Sequence, residues 1–171
     1  LIFATGPVTG SPIYGSCRFG VYSKSPLTGF YAESYSGGWT PESISRTGFD
    51  AIVVFGAAEE PVVLEVKENG ALFHSVEDLW GQESYGAEAA IVERWGTREK
   101  GLEKSGAVVI GPAGERQVRF SNIKNDKWRS AGRTGMGAVM GSKNLKGILF
   151  NGTQKRTVAH PEDLAHFVQE I

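Results

Sequence analysis

Glycines and basic residues are concentrated in one stretch of the chain, Arg129-Ser-Ala-Gly-Arg-Thr-Gly-Met-Gly-Ala-Val-Met-Gly141. Its four glycines permit positive φ angles and let another molecule approach the backbone closely. Exposed backbone N–H groups combined with fixed positive charge bind anions such as phosphate. The stretch therefore predicts an anion-binding loop served by Arg129 and Arg133. A tight structural turn that binds nothing explains the same glycines equally well.

The charges of the chain fall into two blocks. Residues 59–93 hold nine acids and one base, whereas residues 116–146 hold eight bases and one acid, Asp126. A run of like charge is usually a solvated face. Here the basic block coincides with the glycine-rich stretch, which favours an anionic ligand over a plain turn. Nucleic acid is not predicted as a partner, because the acidic block and the net charge of −1 are untypical of nucleic-acid-binding domains.

Other kinds of chemistry are not supported by the residue spacing. Gly141-Ser-Lys143 departs from the Gly-Lys-Ser/Thr of a Walker A loop, and the polar residues 128–134 are not the buried strand that a Rossmann unit needs. No Ser-His-Asp set, paired carboxylates or His/Cys cluster occurs at a recognisable spacing. Cys17 is the only cysteine, which excludes an internal disulfide and fits a partly buried thiol in a cytoplasmic protein.

The length and composition predict one globular domain. A chain of 171 residues with 40% hydrophobic residues can bury a sizeable core. No apolar run approaches the ~20 residues of a membrane-spanning helix, so no membrane association is predicted. The chain opens directly on the apolar Leu1-Ile-Phe-Ala, and its last amphipathic pattern still continues at Ile171. We therefore expect it to be a piece of a longer protein.

Helix start signals occur at three places. Thr40 is predicted to cap a short helix, and Ser84 to cap a helix that reaches about Trp95. Pro161, followed by two acids, is predicted to begin a third helix. The charged residues 97–104 are predicted to form an exposed connection.

Strands are predicted where apolar residues run together or alternate with polar ones. The predicted strands are residues 1–4, 18–23, 30–34, 50–55 (fully buried), 61–66, 71–74, 107–110, 117–123 and 145–150. Asn69-Gly70 is typical of a two-residue hairpin turn and is the strongest local signal in the chain.

The same order of features occurs twice along the chain: a strand, a Gly-Pro corner, an arginine-bearing strand, a glycine loop and a second apolar strand. The matched features include Gly6-Pro7 with Gly111-Pro112, Arg18-Phe19 with Arg119-Phe120, and Gly37-Gly38 with Gly135-Met-Gly137. Repeated features in one order predict a duplicated unit. Two such units, each with an anion-directed loop, would bind two similar ligand groups.

Nine short motifs are distributed over residues 1–152. They are Thr5-Gly-Pro-Val-Thr-Gly10, Lys24-Ser-Pro-Leu-Thr-Gly29, Ser36-Gly-Gly38, Gly48-Phe-Asp-Ala-Ile52, Leu79-Trp-Gly81, Ile110-Gly-Pro-Ala-Gly-Glu115, Val118-Arg-Phe120, Ala131-Gly-Arg133 and Gly137-Ala-Val-Met-Gly-Ser-Lys-Asn-Leu-Lys146. With these motifs the chain resembles the N-terminal domain of the tungsten-containing aldehyde:ferredoxin oxidoreductases.

The resemblance implies an α+β fold with two β-sheets and a few short helices, which carries a tungsten bis-pterin cofactor whose two phosphates are bridged by Mg²⁺. It implies that the cofactor contacts are Arg18, Tyr35, Ser36, Gly37, Arg129, Ser130, Arg133, Gly135 and Gly137. The Ser130 carbonyl and Tyr35 would be the magnesium ligands. Tyr35 stands where the family's aldehyde oxidoreductases commonly have Asn, and phenol is a poor substitute for an amide carbonyl.

The resemblance also implies a domain organisation and an activity. Residues 1–152 would form the cofactor-binding domain, and residues 153–171 would be a linker and the start of a helix that leads to the next domain. The full enzyme would oxidise aldehydes to carboxylic acids and pass electrons through a [4Fe–4S] cluster to ferredoxin. The cluster ligands and catalytic residues would lie outside this chain, which alone would be inactive.

Two alternatives to the aldehyde oxidoreductase remain open, and a homodimer is a further assembly to test. Within the family, the chain could belong to another tungsten enzyme, such as a reductase of an aromatic acyl thioester. Outside it, the chain could be a non-catalytic module that binds a phosphorylated ligand.

Overall fold

The computed structural model describes residues 1–97 and 105–170. Most of the connection predicted at 97–104 therefore lies outside the described residues. The strands are β1 Ile2–Thr5, β2 Arg18–Lys24, β3 Tyr31–Gly37, β4 Ala51–Val53, β5 Val62–Lys67, β6 Gly70–Ser75, β7 Gly106–Val109, β8 Ile123–Asn125, β9 Arg129–Ala131 and β10 Leu145–Phe150. The helices are α1 Thr40–Arg46, α2 Ser84–Trp95, α3 Pro112–Glu115, α4 Met136–Gly141 and α5 Pro161–Glu170, with a 3₁₀ turn at Glu77–Leu79.

The strands form two sheets, which confirms the predicted α+β class. The first sheet has the order β3-β2-β1-β4, and every neighbouring pair is antiparallel. The second sheet has the order β6-β5-β10-β7-β8-β9. Its pairs are antiparallel except for β5 and β10, which run parallel. The hairpin predicted at Asn69-Gly70 joins β5 to β6.

The two sheets share a four-strand unit. In the first sheet the order is β3-β2-β1-β4, and in the second sheet the equivalent order is β9-β8-β7-β10, again with antiparallel pairs. Along the chain each unit has a short helix before its last strand: α1 lies between β3 and β4, and α4 lies between β9 and β10. The duplication inferred from the sequence is therefore visible in the strand order. The match of Arg18-Phe19 with Arg119-Phe120 is wrong, because the second pair precedes β8 and lies in a turn.

Two strand predictions need correction. The segment 117–123 is not a strand: Gln117 has a φ of 53°, and the Ser121 N–H donates to the Val118 carbonyl in a tight turn. The segment 50–55 is not fully buried, because only Ala51–Val53 are extended and they lie at the edge of the first sheet. An apolar run does not by itself show whether both faces of a strand are covered.

Two helix caps differ from the prediction. Thr40 is the first residue of α1 rather than its cap, and the α1 N-terminus is closed by Asp126 from the other unit. Ser84 is the first residue of α2, and the Glu83 carboxylate caps this helix by accepting the N–H groups of Tyr85 and Gly86. In both cases a carboxylate offers two acceptor oxygens where a hydroxyl offers one.

The main hydrophobic core lies between the two sheets. It includes Phe3, Phe19 and Val21 from the first sheet and Ile148 and Phe150 from the second. A smaller core lies between the second sheet and α2. The central strand β10 is therefore covered on both faces and buried along its whole length.

The C-terminal helix α5 begins at Pro161, as predicted, and none of its described residues is buried. Its amphipathic face is therefore not packed against the described part of the chain. The proposed boundary near residue 152 and the role of residues 153–171 stay predictions.

No helix within residues 1–97 and 105–170 is long and apolar enough to cross a membrane.

Candidate functional site

The predicted site residues of the two units meet where the edge strands β3 and β9 face each other. Hydrogen bonds between side chains and backbone join these edges. The Ser34 and Ser25 hydroxyls donate to the carbonyls of Gly132 and Thr134, the latter over 2.7 Å. The Asn125 amide donates to the Gly37 carbonyl over 2.9 Å. Tertiary structure thus brings together residues more than 85 positions apart in the chain.

Two arginines, one from each unit, lie over two consecutive glycines at this junction. Arg18 is the cross-strand partner of Gly37, and its Cδ lies 3.5 Å from the position that a Gly37 Cβ would occupy. The Cγ of Arg129 lies 3.2 Å from the corresponding position at Gly38. Larger side chains at either glycine would displace an arginine. The side chains of one arginine from each unit thus pack against neighbouring residues of the same segment.

Neither arginine is neutralised by the protein. Within the described residues, the guanidinium groups of Arg18, Arg129 and Arg133 have no hydrogen bond or ion pair, and all three residues are exposed. The single acid of the basic block, Asp126, is occupied by the N-terminus of α1. Guanidinium groups bind phosphate and carboxylate through two parallel hydrogen bonds. These charges therefore suit an anionic ligand.

The turn between β9 and α4 presents its backbone in an unusual conformation. Arg133, Thr134 and Gly135 have φ values of 60°, 57° and 81°. A non-glycine residue in this region costs about 1–2 kcal/mol, and such strain is concentrated at functional sites. In this conformation three successive carbonyls accept hydrogen bonds. The Gly132 carbonyl accepts the Ser34 hydroxyl, and the Thr134 carbonyl accepts the Ser25 hydroxyl. The Arg133 carbonyl accepts the Gly135 N–H and the Thr134 hydroxyl.

The N–H groups of the same turn have no such partners. Those of Gly132, Arg133 and Thr134 donate to no acceptor in the part of the chain that the structure describes. Backbone N–H groups in series form an anion-binding surface. The turn therefore offers donors beside the Arg133 guanidinium, as the sequence predicted.

Tyr35 lies on the outer face of the first sheet and is half exposed. Its ring meets that of Tyr22 edge to face at 6.0 Å. Hydrogen bonds with Tyr22 and then Glu33 raise the pKa of the Tyr35 hydroxyl. The side chain therefore stays a neutral phenol and is a poor ligand for a hard cation such as Mg²⁺.

Three of the predicted contact residues are enclosed by neighbouring atoms of the protein itself. The Ser36 hydroxyl is buried and donates to Asn125 over 2.7 Å. A Cβ at Gly135 would lie 2.1 Å from the Arg119 carbonyl oxygen, and one at Gly137 would lie 2.4 Å from that of Asn122. These two glycines are required by close backbone packing, as the interpretation of the loop as a tight turn predicts.

The remaining predicted residues have different surroundings. Ser130 accepts a hydrogen bond from Lys124 through its hydroxyl, at 2.9 Å. The Cys17 thiol donates to the Gly38 carbonyl, and burial raises its pKa. A raised pKa lowers the fraction of thiolate, which is the nucleophilic form. No cluster of three or more His, Cys, Asp or Glu residues suited to a metal ion occurs in residues 1–97 and 105–170.

Asn125 and Asp126 are residues of the site that the sequence did not reveal. The Asp126 carboxylate accepts the N–H groups of Trp39 and Thr40 at 2.7 and 3.0 Å and the Thr40 hydroxyl at 3.1 Å. A signal was present, since Asp126 is the only acid among eight bases. An isolated acid in such a block indicates a specific partner rather than a solvated face.

Apolar clefts occur away from the glycine-rich junction. Two adjoining clefts of about 350 and 360 Å³ lie between β4 and the hairpin β5–β6, at the opposite edge of the first sheet from β3. Their walls are mainly apolar and include Phe55 and Phe73. A smaller cleft of about 210 Å³ is lined by Arg18 and Tyr35, together with residues of β1 and β2.

A family model described as "Aldehyde ferredoxin oxidoreductase, N-terminal domain" matches residues 1–152. The chain belongs to this family. Its relatives include the tungsten-containing aldehyde ferredoxin oxidoreductase of Pyrococcus furiosus, which is 42% identical over 99% of the chain. The aliphatic sulfonate oxidoreductase WOR-like subunit of the same organism is 31% identical over 90% of the chain.

A solved structure shares the fold of this aldehyde ferredoxin oxidoreductase domain. It is the BamBC active-site complex of benzoyl coenzyme A reductase with 1,5-dienoyl-CoA, with a TM-score of 0.90 and 31% identity over 100% of the chain. The chain spans about a quarter of each of these proteins: 27% of the aldehyde oxidoreductase, 25% of the WOR-like subunit and 25% of the BamBC chain.

Proposed function

We propose that the chain is the cofactor-binding domain of a tungsten bis-pterin oxidoreductase that oxidises aldehydes to carboxylic acids. The observation that carries the proposal is the pair Arg18 and Arg129, which lie against Gly37 and Gly38 and have no hydrogen bond or ion pair within the described residues. Phosphate groups are the ligands that such a pair binds best. The 42% identity to a tungsten-containing aldehyde ferredoxin oxidoreductase supports the choice of cofactor and substrate.

The doubled fold suits a doubled ligand. Gly37-Gly38 lies at the end of β3 and precedes α1, and the turn Gly132–Gly135 follows β9 and precedes α4. The two glycine segments therefore occupy equivalent places in the two units. Arg18 and Arg129 lie against the first segment, and Arg133 belongs to the second. A cofactor with two pterin arms would receive one phosphate-binding segment from each unit.

The chain's own residues would bind and orient this cofactor. Arg18, Arg129 and Arg133 would neutralise the phosphates, and the N–H groups of residues 132–134 would donate to them. When bound, the cofactor supplies the two-electron redox chemistry. Within the described residues we assign no catalytic acid, base or nucleophile.

The expected magnesium site fits the residues of this chain less well than the expected phosphate contacts do. The neutral Tyr35 phenol does not fit the role of a magnesium ligand. A magnesium ion bound here would depend on the phosphates and the Ser130 carbonyl. We propose that Tyr35 instead contacts an arm of the cofactor through its ring edge or hydroxyl.

The rest of the proposed enzyme follows from the family. Cys17 alone cannot hold a [4Fe–4S] cluster, so the cluster ligands would come from additional chain. Ferredoxin would accept the electrons, as the names of the relatives indicate for those proteins. A cytoplasmic location and a homodimer are further parts of the proposal.

A second candidate within the family is a reductase of an aromatic acyl thioester. The fold match to BamBC at a TM-score of 0.90 favours keeping it. Assays of the full-length enzyme with an aldehyde and with an aromatic acyl-coenzyme A, each with a redox dye, separate the two. A non-catalytic phosphate-binding module would show neither activity and would contain no tungsten.

The decisive experiment is metal and pterin analysis of the full-length protein purified from its own host. We expect tungsten and two pterins per chain, and an absence of tungsten, molybdenum and pterin would refute the proposal. Arg129→Ala should lower the cofactor content of the folded protein. Arg116→Ala is the matched control, because Arg116 is an exposed arginine of the same basic block at the end of α3.

A further inference from the structure

The Asn125 side chain lies at the end of β8 and is completely buried. Its Oδ1 accepts the Ser36 hydroxyl at 2.7 Å, and its Nδ2 donates to the Gly37 carbonyl at 2.9 Å. We propose that Asn125 is a positioning residue that holds Arg18 and Arg129 at the spacing needed to bind one ligand together. The proposal rests on the proposed cofactor-binding function.

A continuous series of direct interactions joins the two arginines through Asn125. Arg18 is paired across strands with Gly37. Gly37 accepts the hydrogen bond of Asn125, and Asn125 is in turn the cross-strand partner of Arg129. The Asn125 side chain therefore bridges the strand pair that carries Arg18 and the strand pair that carries Arg129.

The segment that Asn125 holds is bound at each of its residues. After Ser36 and Gly37, the Gly38 carbonyl accepts the Cys17 thiol. The N–H groups of the next two residues, 39 and 40, donate to Asp126, which also accepts the second amide hydrogen bond of Asn125 at 3.0 Å. Such a fully satisfied polar network specifies one arrangement of the backbone.

An amide is the side chain that this position requires. Asn offers a donor and an acceptor at the same time, whereas Asp offers only acceptors when ionised. Asn125→Asp would leave the Gly37 carbonyl without its donor and would place a second carboxylate beside Asp126. Removal of the amide frees the segment on which both arginines rest. A misplacement of about 1 Å can lower a reaction rate about 100-fold, so small displacements matter at such a site.

The test compares Asn125→Ala with Asn151→Ala in the full-length enzyme expressed in its own host. Asn151 is also a buried amide with two good hydrogen bonds, to Glu65 and the Trp95 carbonyl, but it lies in the network beside β5. Both variants should lower Tm to a similar extent. Only Asn125→Ala should lower the tungsten and pterin content of the folded fraction, by about tenfold.

Further variants keep the test decisive if Asn125→Ala folds poorly. Ser36→Ala removes one of the hydrogen bonds and should give a smaller loss of cofactor and a smaller drop in Tm than Asn125→Ala. Asn125→Asp should behave like Asn125→Ala although it is isosteric. Equal cofactor content in the Asn125 and Asn151 variants would overturn the proposal.

A crystal structure of Asn125→Ala separates the positioning role from the proposed function. We expect the segment 36–38 and the Arg18 guanidinium to shift relative to Arg129 by about 1 Å or more. An unmoved segment would overturn the positioning role whatever the ligand is. If the segment shifts in Asn125→Ala but the wild-type protein contains no tungsten or pterin, only the proposed function is refuted.

Discussion

Glu115 and Lys146 form an ion pair inside the protein, with side chains that are 5% and 0% exposed. Lys146 also donates to the Gln82 carbonyl at 2.8 Å, and Glu115 accepts the Gly81 N–H at 2.8 Å. The pair therefore joins three of the motifs that identify the family: Leu79–Gly81, Ile110–Glu115 and Gly137–Lys146. Through this pair the three motifs support the fold of the site.

Lys146→Met is expected to lower the free energy of unfolding by about 3–5 kcal/mol, because it leaves a buried carboxylate without its counter-charge. Denaturant titration measures this loss. Arg94→Ala is the control, since Arg94 forms an ion pair with Asp78 at the surface and should change stability little. Similar losses in the two variants would contradict the distinction between buried and exposed pairs.

Asp126→Ala should destabilise the protein by about 2 kcal/mol, at the upper end for a lost helix cap, because three donors of α1 lose their acceptor. Chemical unfolding measures the effect. Glu83→Ala removes the exposed cap of α2 and should cost less. If Glu83→Ala is the more damaging of the two, Asp126 does not hold the α1 terminus in the way described.

Gly132 in the turn before α4 and Gly141 at the end of α4 should respond differently to alanine. A Cβ at Gly141 would lie 1.9 Å from the Gly114 carbonyl oxygen, whereas one at Gly132 would meet no atom within 4 Å. Gly141→Ala should therefore cost about 1–3 kcal/mol through overpacking. Gly132→Ala should leave Tm almost unchanged, and a loss of cofactor from that variant would show that the ligand approaches this residue.

The hydrogen bonds around Glu65 lead us to expect a specific dependence of stability on pH. Burial favours a higher pKa, but hydrogen bonds from Lys67, His74 and Asn151 outweigh it, so the pKa of Glu65 in the folded protein lies below its ordinary value. A lowered carboxylate pKa stabilises the fold above the unfolded pKa of about 4.3 and loses that contribution as the pH falls through the folded value.

Glu65→Gln tests this dependence. The free energy of unfolding of the wild type should fall more steeply than that of the variant as the pH is lowered below about 4.3. Denaturant titrations at a series of pH values give both slopes. Parallel slopes would show that Glu65 has no lowered pKa in the folded state.

Local features of this protein could be predicted because they depend on neighbouring residues. The hairpin at Asn69-Gly70, the helix from Pro161 and the alternating strand at Arg18 follow from turn chemistry, fixed proline φ and side-chain alternation. The repeated order of features similarly indicated the duplicated unit. The alternating pattern of residues 117–123 predicts a strand that the structure does not contain, because such a pattern does not indicate the positive φ of Gln117.

The sequence by itself determined the fold class, the basic block with its glycines and the family. Tertiary structure alone decided that Arg18 and Arg129 lie on consecutive glycines, that Asp126 caps α1, and that Lys146 is buried. The physical reason is the range of the interactions. Asn125 and Gly37 are 88 residues apart, and Asp126 and Thr40 are 86 apart. Contacts at such separations form only when two sheets pack together, so no local pattern records them.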